Sequence, residues 1–268
     1  MIRKLIAGIT DPGKVRQNNE DNFFYDEQIG LLIVCDGMGG HASGEVASQM
    51  ALDNIREQMG TALKTGRIPA LGAKPPHLSD KAYLLASCVR FANEVIYGVS
   101  QGRQKDRGMG TTVVAVLIAE DKYIVAHVGD SRLYLFRNGK LKQVTQDHSL
   151  VAEQVAKGLM TEEEAEKSDI KNVLTRALGV GAETEVDVNE YPILDNDTLL
   201  LCTDGLTRMV PDREIEKRLQ TLKDPMGMCH NLVSIANENG GRDNVTLIIA
   251  NLRKEGFLKR LAGLFKKS

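Results

Sequence analysis

Four aspartates in this 268-residue sequence each stand at one end of an apolar segment typical of a buried strand. Asp36 follows Leu-Leu-Ile-Val-Cys, and Asp204 follows Leu-Leu-Leu-Cys-Thr. Asp130 comes after Ile-Val-Ala-His-Val-Gly, and Asp243 stands just before Val-Thr-Leu-Ile-Ile. A strand end holds a short carboxylate in a fixed place, and several carboxylates brought together repel one another unless a cation neutralises them. The pattern therefore predicts a cation site built from dispersed aspartates.

The chemistry around these aspartates favours a hard cation. Glycine follows Asp36 and Asp204, and it leaves the backbone carbonyl open to a ligand. Oxygen ligands select Mg²⁺ or Mn²⁺ over zinc. The four cysteines are scattered without paired spacing, which predicts reduced core thiols and neither disulfides nor a zinc site. The alternative for any single Asp-Gly pair is an ordinary turn.

The elements that must position these residues are short strands and two longer helices. Hydrophobic periodicity predicts helices carrying Val46 to Ile55 and Leu84 to Val99. Tight turns, one of them Asn138-Gly139, favour antiparallel pairing. Helices outside a mainly antiparallel core predict a layered α/β fold and not a doubly wound nucleotide-binding fold. The predicted strands are 31–35, 112–119, 123–128, 133–136, 198–202 and 245–250.

Three other segments have their own character. Residues 60–78, rich in glycine and proline, are predicted to form a surface loop. Residues 148–179 are polar and helical, carry Thr161 and Glu164 in capping-box spacing, and are predicted to form a lid. Residues 251–268 form a basic tail whose apolar residues share one helical face, a pattern suited to an anionic membrane surface or a partner. Its alternative is docking onto the body, or disorder.

Composition excludes several classes of protein. The chain is 42% hydrophobic and 26% charged, which is typical of a globular protein of one large domain. No apolar run approaches the ~20 residues of a membrane-spanning helix, and the apolar start is too short for a signal peptide. The net charge is −2, and the body without the tail is acidic, so nucleic acid is not an expected partner. A cytoplasmic location is expected.

Six short motifs follow one another along the chain: Arg16-Gln-Asn-Asn-Glu20-Asp21, Val34-Cys-Asp36-Gly37-Met-Gly-Gly-His41, Gly108-Met-Gly-Thr-Thr112, Val128-Gly-Asp130-Ser-Arg132, Thr203-Asp204-Gly205 and Arg242-Asp243-Asn244. In this order they resemble the motifs of the metal-dependent type 2C protein phosphatases. The resemblance spans about residues 6–250 and is greatest to the bacterial members that oppose serine/threonine kinases. Residues 172–179, Asn-Val-Leu-Thr-Arg-Ala-Leu-Gly, also resemble the flap of those enzymes.

The resemblance implies two Mn²⁺ or Mg²⁺ ions. Asp36 would bridge them, Gly37 would lend its carbonyl to one, and Asp204 and Asp243 would bind the other. A domain of residues 1–250 would then form a four-layer α-β-β-α sandwich, with two mainly antiparallel sheets flanked by helices.

Three further acids have implied roles at this centre. Glu20 and Asp21 would act on the metals through water, although an N-cap or surface role is the alternative. Asp130 resembles a ligand of a third, weaker metal site, and its alternative is to hold the Asp-Ser-Arg turn.

The reaction implied is hydrolysis of phosphoserine and phosphothreonine on proteins by a metal-activated water, without a covalent intermediate. Arg16 is the expected phosphate-binding residue, because a guanidinium fork matches phosphate oxygens. The general acid is not settled: relatives outside bacteria carry histidine where this chain has Met38, so His41 is only a candidate beside water. His127 and His148 are predicted to be structural.

The sequence leaves two alternatives to a general protein phosphatase. A non-catalytic relative would bind phosphoproteins without hydrolysing them, but such a protein is expected to lack a metal ligand. A second alternative keeps the chemistry and acts on one dedicated regulator, such as an anti-sigma-factor antagonist. The expected partners are phosphoproteins and a serine/threonine kinase, and a monomer satisfies every feature of the sequence.

Overall fold

The computed structural model describes residues 2–39, 43–66, 73–102 and 108–254, except for the side chain of residue 166. The strands are β1 (Ile2–Asp11), β2 (Asp21–Asp26), β3 (Leu31–Met38), β4 (Gly110–Thr111), β5 (Val113–Ala119), β6 (Lys122–Val128), β7 (Arg132–Arg137), β8 (Lys140–Gln143), β9 (Asp187–Pro192), β10 (Asp197–Cys202) and β11 (Val245–Lys254). The helices are α1 (Ser43–Thr65), α2 (Asp80–Gly102), α3 (Leu150–Ala156), α4 (Glu162–Lys167), α5 (Asp204–Thr207), α6 (Asp212–Thr221) and α7 (Pro225–Glu238).

The strands form two antiparallel sheets. The first sheet has the order β1-β11-β10-β7-β8, and the second has the order β2-β3-β5-β6-β9, with β4 added beside β3. The first and last strands of the described chain pair along their full length, from Ile2 opposite Lys254 to Asp11 opposite Val245. The two sheets therefore each contain strands from distant parts of the sequence.

Three apolar clusters stack the sheets and helices into four layers. One cluster joins α1 and α2 to the second sheet, one lies between the sheets, and one joins α6 and α7 to the first sheet. Strand β3 shows why its sequence is a continuous apolar run: Leu31 and Ile33 face the helices, while Leu32 and Val34 face the other sheet. The α-β-β-α sandwich expected from the sequence is confirmed.

The six predicted strands are all present, and the missed ones lie at sheet edges or are short. Strands β8 and β9 end the two sheets and carry polar residues along exposed positions, so they lack the apolar run that identifies a covered strand. The predicted turn at Asn138-Gly139 is confirmed, since both residues adopt positive φ, 52° and 77°, between β7 and β8.

Two boundaries differ from the sequence predictions. Helix α1 continues to Thr65, so residues 60–65 are helical and not part of the predicted loop. Among residues 148–179 only α3 and α4 are helical, and the remainder is irregular. The capping box at the start of α4 is confirmed, with the Thr161 hydroxyl accepting from the Glu164 N–H and the Glu164 carboxylate accepting from the Thr161 N–H.

The structure also bears on the cysteines, on membrane-spanning helices and on the basic tail. All four cysteines are buried and unpaired, as predicted. No helix in the described ranges is long and apolar enough to cross a bilayer. Strand β11 extends to Lys254, so the first four residues assigned to the basic tail belong to the sheet. The rest of that tail, residues 255–268, lies outside the described residues.

Candidate metal centre

The four aspartates singled out in the sequence line one cavity of about 500 Å³. Asp36 belongs to β3, and Asp204 opens α5 directly after β10. Asp243 stands two residues before β11, and Asp130 lies in the connection from β6 of the second sheet to β7 of the first. The cavity therefore lies where one end of the first sheet meets one end of the second.

The acidic pair Glu20 and Asp21 lies at the start of β2. Glu20 lines the cavity, whereas Asp21 lies beneath it, 4% exposed and directly opposite Asp36 in the β2–β3 ladder. The Thr203 hydroxyl donates to Asp21 Oδ2 at 2.9 Å, and the Gly37 N–H donates to the Glu20 carbonyl at 3.2 Å. Both acids are therefore tied to the residues that flank the central aspartates.

Backbone and hydroxyl contacts fix Asp36 itself. Its N–H donates to Thr112 Oγ1 at 3.1 Å, and its carbonyl accepts from the Thr112 N–H at 2.9 Å and the Thr111 hydroxyl at 2.8 Å. The Thr112 and Ser131 hydroxyls are 2.7 Å apart. Because Ser131 follows Asp130, Thr112 connects two of the acidic segments.

Asn244 joins the loop before β11 to the loop between β1 and β2 at the edge of the cavity. Its side-chain amide donates to the carbonyls of Pro12 and Asn18, at 3.0 and 2.9 Å, and its Oδ1 accepts from the Glu20 N–H at 2.8 Å. In the sequence, Asn244 belongs to a motif but has no predicted role. The structure assigns it the role of fixing the loop that carries Arg16.

Two glycines are required by close backbone approach. A Cβ on Gly205 would lie 1.9 Å from the Asn244 carbonyl oxygen, and one on Gly37 would lie 2.1 Å from the Gly44 carbonyl oxygen. No side chain can occupy either position without moving the backbone. The glycine after each aspartate is thus fixed by packing at the centre, in addition to its fitness for a turn.

The carboxylates at the centre resist ionisation together. Burial raises the pKa of Asp36 well above its ordinary value. Burial also raises the pKa of Asp21 to about 7 and that of Asp204 to about 8. The neighbouring charges that raise the Asp36 pKa further belong to Asp21, Asp204, Asp130 and Asp243. A centre of this kind is stable at neutral pH when cations or protons offset the negative charge.

Two of the three arginines that line the cavity contact its aspartates. Arg16 Nη2 lies 2.9 Å from Asp243 Oδ2, and half of the Arg16 side chain is exposed. Arg208 Nη2 pairs with Asp204 Oδ2 and lies 3.5 Å from Asp130 Oδ2. Sequence reasoning missed Arg208, although its spacing of four residues after Asp204 on a helix is a signal for such a pair.

The donor set fits a hard cation. The ligand-bearing side chains in the described cavity lining are carboxylates, with no thiol or imidazole among them. Carboxylate and carbonyl oxygens are the ligands of Mg²⁺ and Mn²⁺. Asp36, Asp204 and Asp243 can hold such ions, as can the carbonyl of Gly37.

The flap residues form one wall of the same cavity. Asn172, Thr175 and Arg176 line it, and Val180 lies just beyond the segment. The wall is joined to β4 by reciprocal backbone hydrogen bonds between Thr111 and Leu178, at 2.9 and 3.1 Å. That this segment acts as a lid stays a prediction.

Three of the five histidines carry a prediction from the sequence. His127 and His148 are buried and stack at 4.6 Å between ring centroids, outside the cavity lining. His148 Nδ1 accepts from the Gly129 N–H at 3.1 Å, and its Nε2 lies 3.4 Å from Asp187. The possible ligand atoms of His127, His148 and Asp187 lie within 4.8 Å of one another. That the two histidines are structural stays a prediction. His41, the candidate general acid, lies outside the described residues.

Comparisons with known proteins agree with this geometry. The family model described as protein phosphatase 2C matches residues 14–245. A serine/threonine phosphatase of Listeria innocua, Stp, is 38% identical over 254 residues, covering 92% of this chain and 96% of that protein.

Solved structures of the same kind superpose on the whole fold. The crystal structure of the Mycobacterium tuberculosis serine/threonine phosphatase PstP has a TM-score of 0.83 at 34% identity, covering 95% of this chain and all of that one. The catalytic domain of PstP in complex with two manganese ions has a TM-score of 0.80, also at 34% identity, with the same coverage. Because this similarity extends along nearly its full length, the chain belongs to the protein phosphatase 2C family.

Proposed function

We propose that this chain is a Mn²⁺- or Mg²⁺-dependent phosphatase that removes phosphate from serine and threonine residues of proteins. The observation that carries the proposal is the carboxylate centre around Asp36, which opens into a cavity with Arg16 at its edge. A phosphate dianion needs both charge neutralisation and a nucleophile, and this arrangement can provide for both.

The metal ligands in this proposal are oxygen donors from both sheets. Asp36, Asp204 and Asp243 would hold the ions together with the carbonyl of Gly37. Glu20 and Asp21 would support them through water. When bound, the two ions lower the pKa of a water for attack on phosphorus and offset the developing negative charge.

Arg16 binds the substrate phosphate. Its guanidinium pairs with Asp243 at 2.9 Å while half of the side chain stays exposed, so it is held beside the centre and remains open to a ligand. A planar guanidinium can donate two parallel hydrogen bonds to phosphate oxygens, which fixes the orientation of the ester as well as its position.

The shape of the site suits a phosphorylated side chain presented by a protein. The cavity combines the acidic centre with a wall in which the uncharged residues Asn172, Thr175 and Val180 lie beside Arg176. These can contact the chain that carries the phosphate while Arg16 and the metals hold the ester. The flap wall is accordingly the place where substrates would be distinguished.

The cellular setting follows from the same proposal. Phosphoproteins are the substrates, and a serine/threonine kinase supplies them. The chain acts as a monomer in the cytoplasm. The general acid is His41 or a water molecule.

The decisive experiment is hydrolysis of p-nitrophenyl phosphate and of a phosphothreonine peptide by the full chain. We expect turnover with Mn²⁺ that is lost with EDTA and with Asp36→Asn. Asp121→Asn is the matched control. It makes the same chemical change outside the cavity, because Asp121 is exposed in the turn at the far end of β6. Control activity should equal that of the unmodified chain.

The alternative function gives a different result in the same experiment. A folded chain that binds the phosphothreonine peptide but releases no phosphate under any metal would be a phosphoprotein-binding relative. The presence of Asp36, Asp204 and Asp243 in one cavity favours the enzyme.

A further inference from the structure

Arg208 places a positive charge between two of the acidic residues of the centre. Its Nη2 contacts Asp204 Oδ2 and lies 3.5 Å from Asp130 Oδ2, so one nitrogen serves both carboxylates. Asp130 and Asp204 are each nearly buried, with side chains 10% and 12% exposed. The guanidinium therefore occupies the space that a cation shared by these two carboxylates would take.

The local structure fixes Arg208 in this place. It caps the C-terminus of α5, one helical turn after Asp204, and its own N–H donates to the Asp204 carbonyl at 2.8 Å. The spacing of four residues brings the two side chains to the same helix face. Arg208 is therefore tied to Asp204 through both backbone and side chain.

With two divalent ions bound, the charge of the centre would be balanced without a further ion. The two ions together with Arg16 and Arg208 would carry as much positive charge as six ionised carboxylates carry negative charge. Arg176 also lines the cavity but is already paired with Asp187 and Glu185, at 2.8 and 3.0 Å. The six carboxylates are Glu20, Asp21, Asp36, Asp130, Asp204 and Asp243.

We propose that Arg208 is a tethered cation that takes the place of a third metal ion beside Asp130. The inference rests on the proposed function, because it concerns the metal content of the same centre. The residues at Asp130 thus do not fit a free ion as they stand, which differs from the role that family resemblance implied for this aspartate. Since Arg208 is covalently attached, its charge at Asp130 does not depend on the metal concentration.

The test counts manganese ions bound per chain by equilibrium dialysis of the full, metal-stripped protein against Mn²⁺ alone. We expect the unmodified chain and Arg208→Lys to bind two ions, because both retain the charge. Arg208→Gln and Arg208→Ala should gain a third, weaker ion. The double variant Asp130→Asn with Arg208→Gln should return to two ions, which would assign the additional ion to Asp130.

The outcomes separate this inference from the proposed function. Three ions bound by the unmodified chain, or two by both Arg208→Gln and Arg208→Ala when circular dichroism shows them folded, would overturn the role of Arg208. Misfolding of both neutral variants beside a folded Arg208→Lys, with two ions in the unmodified chain, would support a charge requirement at this position. No manganese bound by the unmodified chain would contradict the proposed function itself.

Discussion

Asp21 and Asp36 lie directly opposite each other in the β2–β3 ladder, with Asp21 almost completely buried. Like charges at opposing positions of a sheet destabilise the pairing. The hydroxyl of Thr203 donates to Asp21 and offsets only part of this cost. A proton or a cation must therefore accompany the pair, and protons and metals compete for the same carboxylates.

The metal-free protein should lose stability as the pH rises. Burial raises the pKa of Asp21 to about 7 and that of Asp204 to about 8, from an ordinary value of 3.8. The native state then retains protons that the unfolded chain has released, so the free energy of unfolding falls between about pH 4 and pH 8. Mn²⁺ replaces those protons, and it should raise the melting temperature more at pH 8 than at pH 5.

Calorimetry of EDTA-treated protein, with and without Mn²⁺, measures this difference. Asp21→Asn should flatten the pH dependence of the metal-free protein, because it removes one of the shifted groups. An equal gain at both pH values would contradict competition between protons and metal at this centre.

Removal of the Arg16 guanidinium should weaken turnover of a phosphothreonine peptide. A hydrogen bond to a charged group contributes about 1.5–3 kcal/mol, so Arg16→Ala should lower kcat/KM by about 10- to 150-fold. Arg16→Lys keeps the charge without the fork and should fall between the two. Steady-state kinetics would test this, with Arg213→Ala, on the exposed face of α6, as the control that leaves kcat/KM unchanged.

Asn244→Ala should reduce Mn²⁺ affinity without unfolding the domain. The variant removes all three hydrogen bonds that join Asn244 to Pro12, Asn18 and Glu20. Loss of a residue that supports metal ligands costs about 10- to 100-fold in affinity or activity. The Mn²⁺ concentration for half-maximal activity is the readout, and Asn189→Ala on exposed β9 is the control. An unchanged Mn²⁺ requirement would show that the loop between β1 and β2 holds its position without Asn244.

Gly205→Ala and Gly60→Ala should change stability in opposite directions. The first places a Cβ 1.9 Å from the Asn244 carbonyl oxygen and should cost more than about 2 kcal/mol. The second lies in α1 with nothing within 4 Å of the added carbon and should stabilise by about 0.5–1 kcal/mol. Urea unfolding measures both, and a tolerated Gly205→Ala would mean that the loop before β11 can move away from α5.

The sequence predicted the covered strands because a strand that is buried on both faces is a continuous apolar segment. Strand β3 alternates between two apolar environments, so Leu31, Leu32, Ile33 and Val34 are all apolar, and the segment stands out. An edge strand such as β8, with Lys140, has no such apolar segment because part of it is exposed to solvent. The sequence therefore indicates a strand most clearly where the sheet is enclosed.

The candidate site divides in the same manner. Asp36 and Asp204 were predicted because each follows an enclosed strand, which fixes its place along the chain. Asn244 and Arg208 gained their roles only from the fold, since the carbonyls that Asn244 binds are more than 200 residues away in sequence. A local pattern could suggest the Asp204–Arg208 contact but not that Asp130 arrives on the other side.

The pairing of β1 with β11 places Ile2 beside Lys254, so the described chain starts and finishes at neighbouring points of one sheet edge. Closely spaced ends let a domain be inserted into a loop of another protein, or be rejoined with a short linker and opened elsewhere. The turn at Asn138-Gly139 is a suitable opening, because it is a two-residue connection at the far edge strand of the same sheet. The domain can thus be inserted into another protein as a unit, because its two ends attach at neighbouring points.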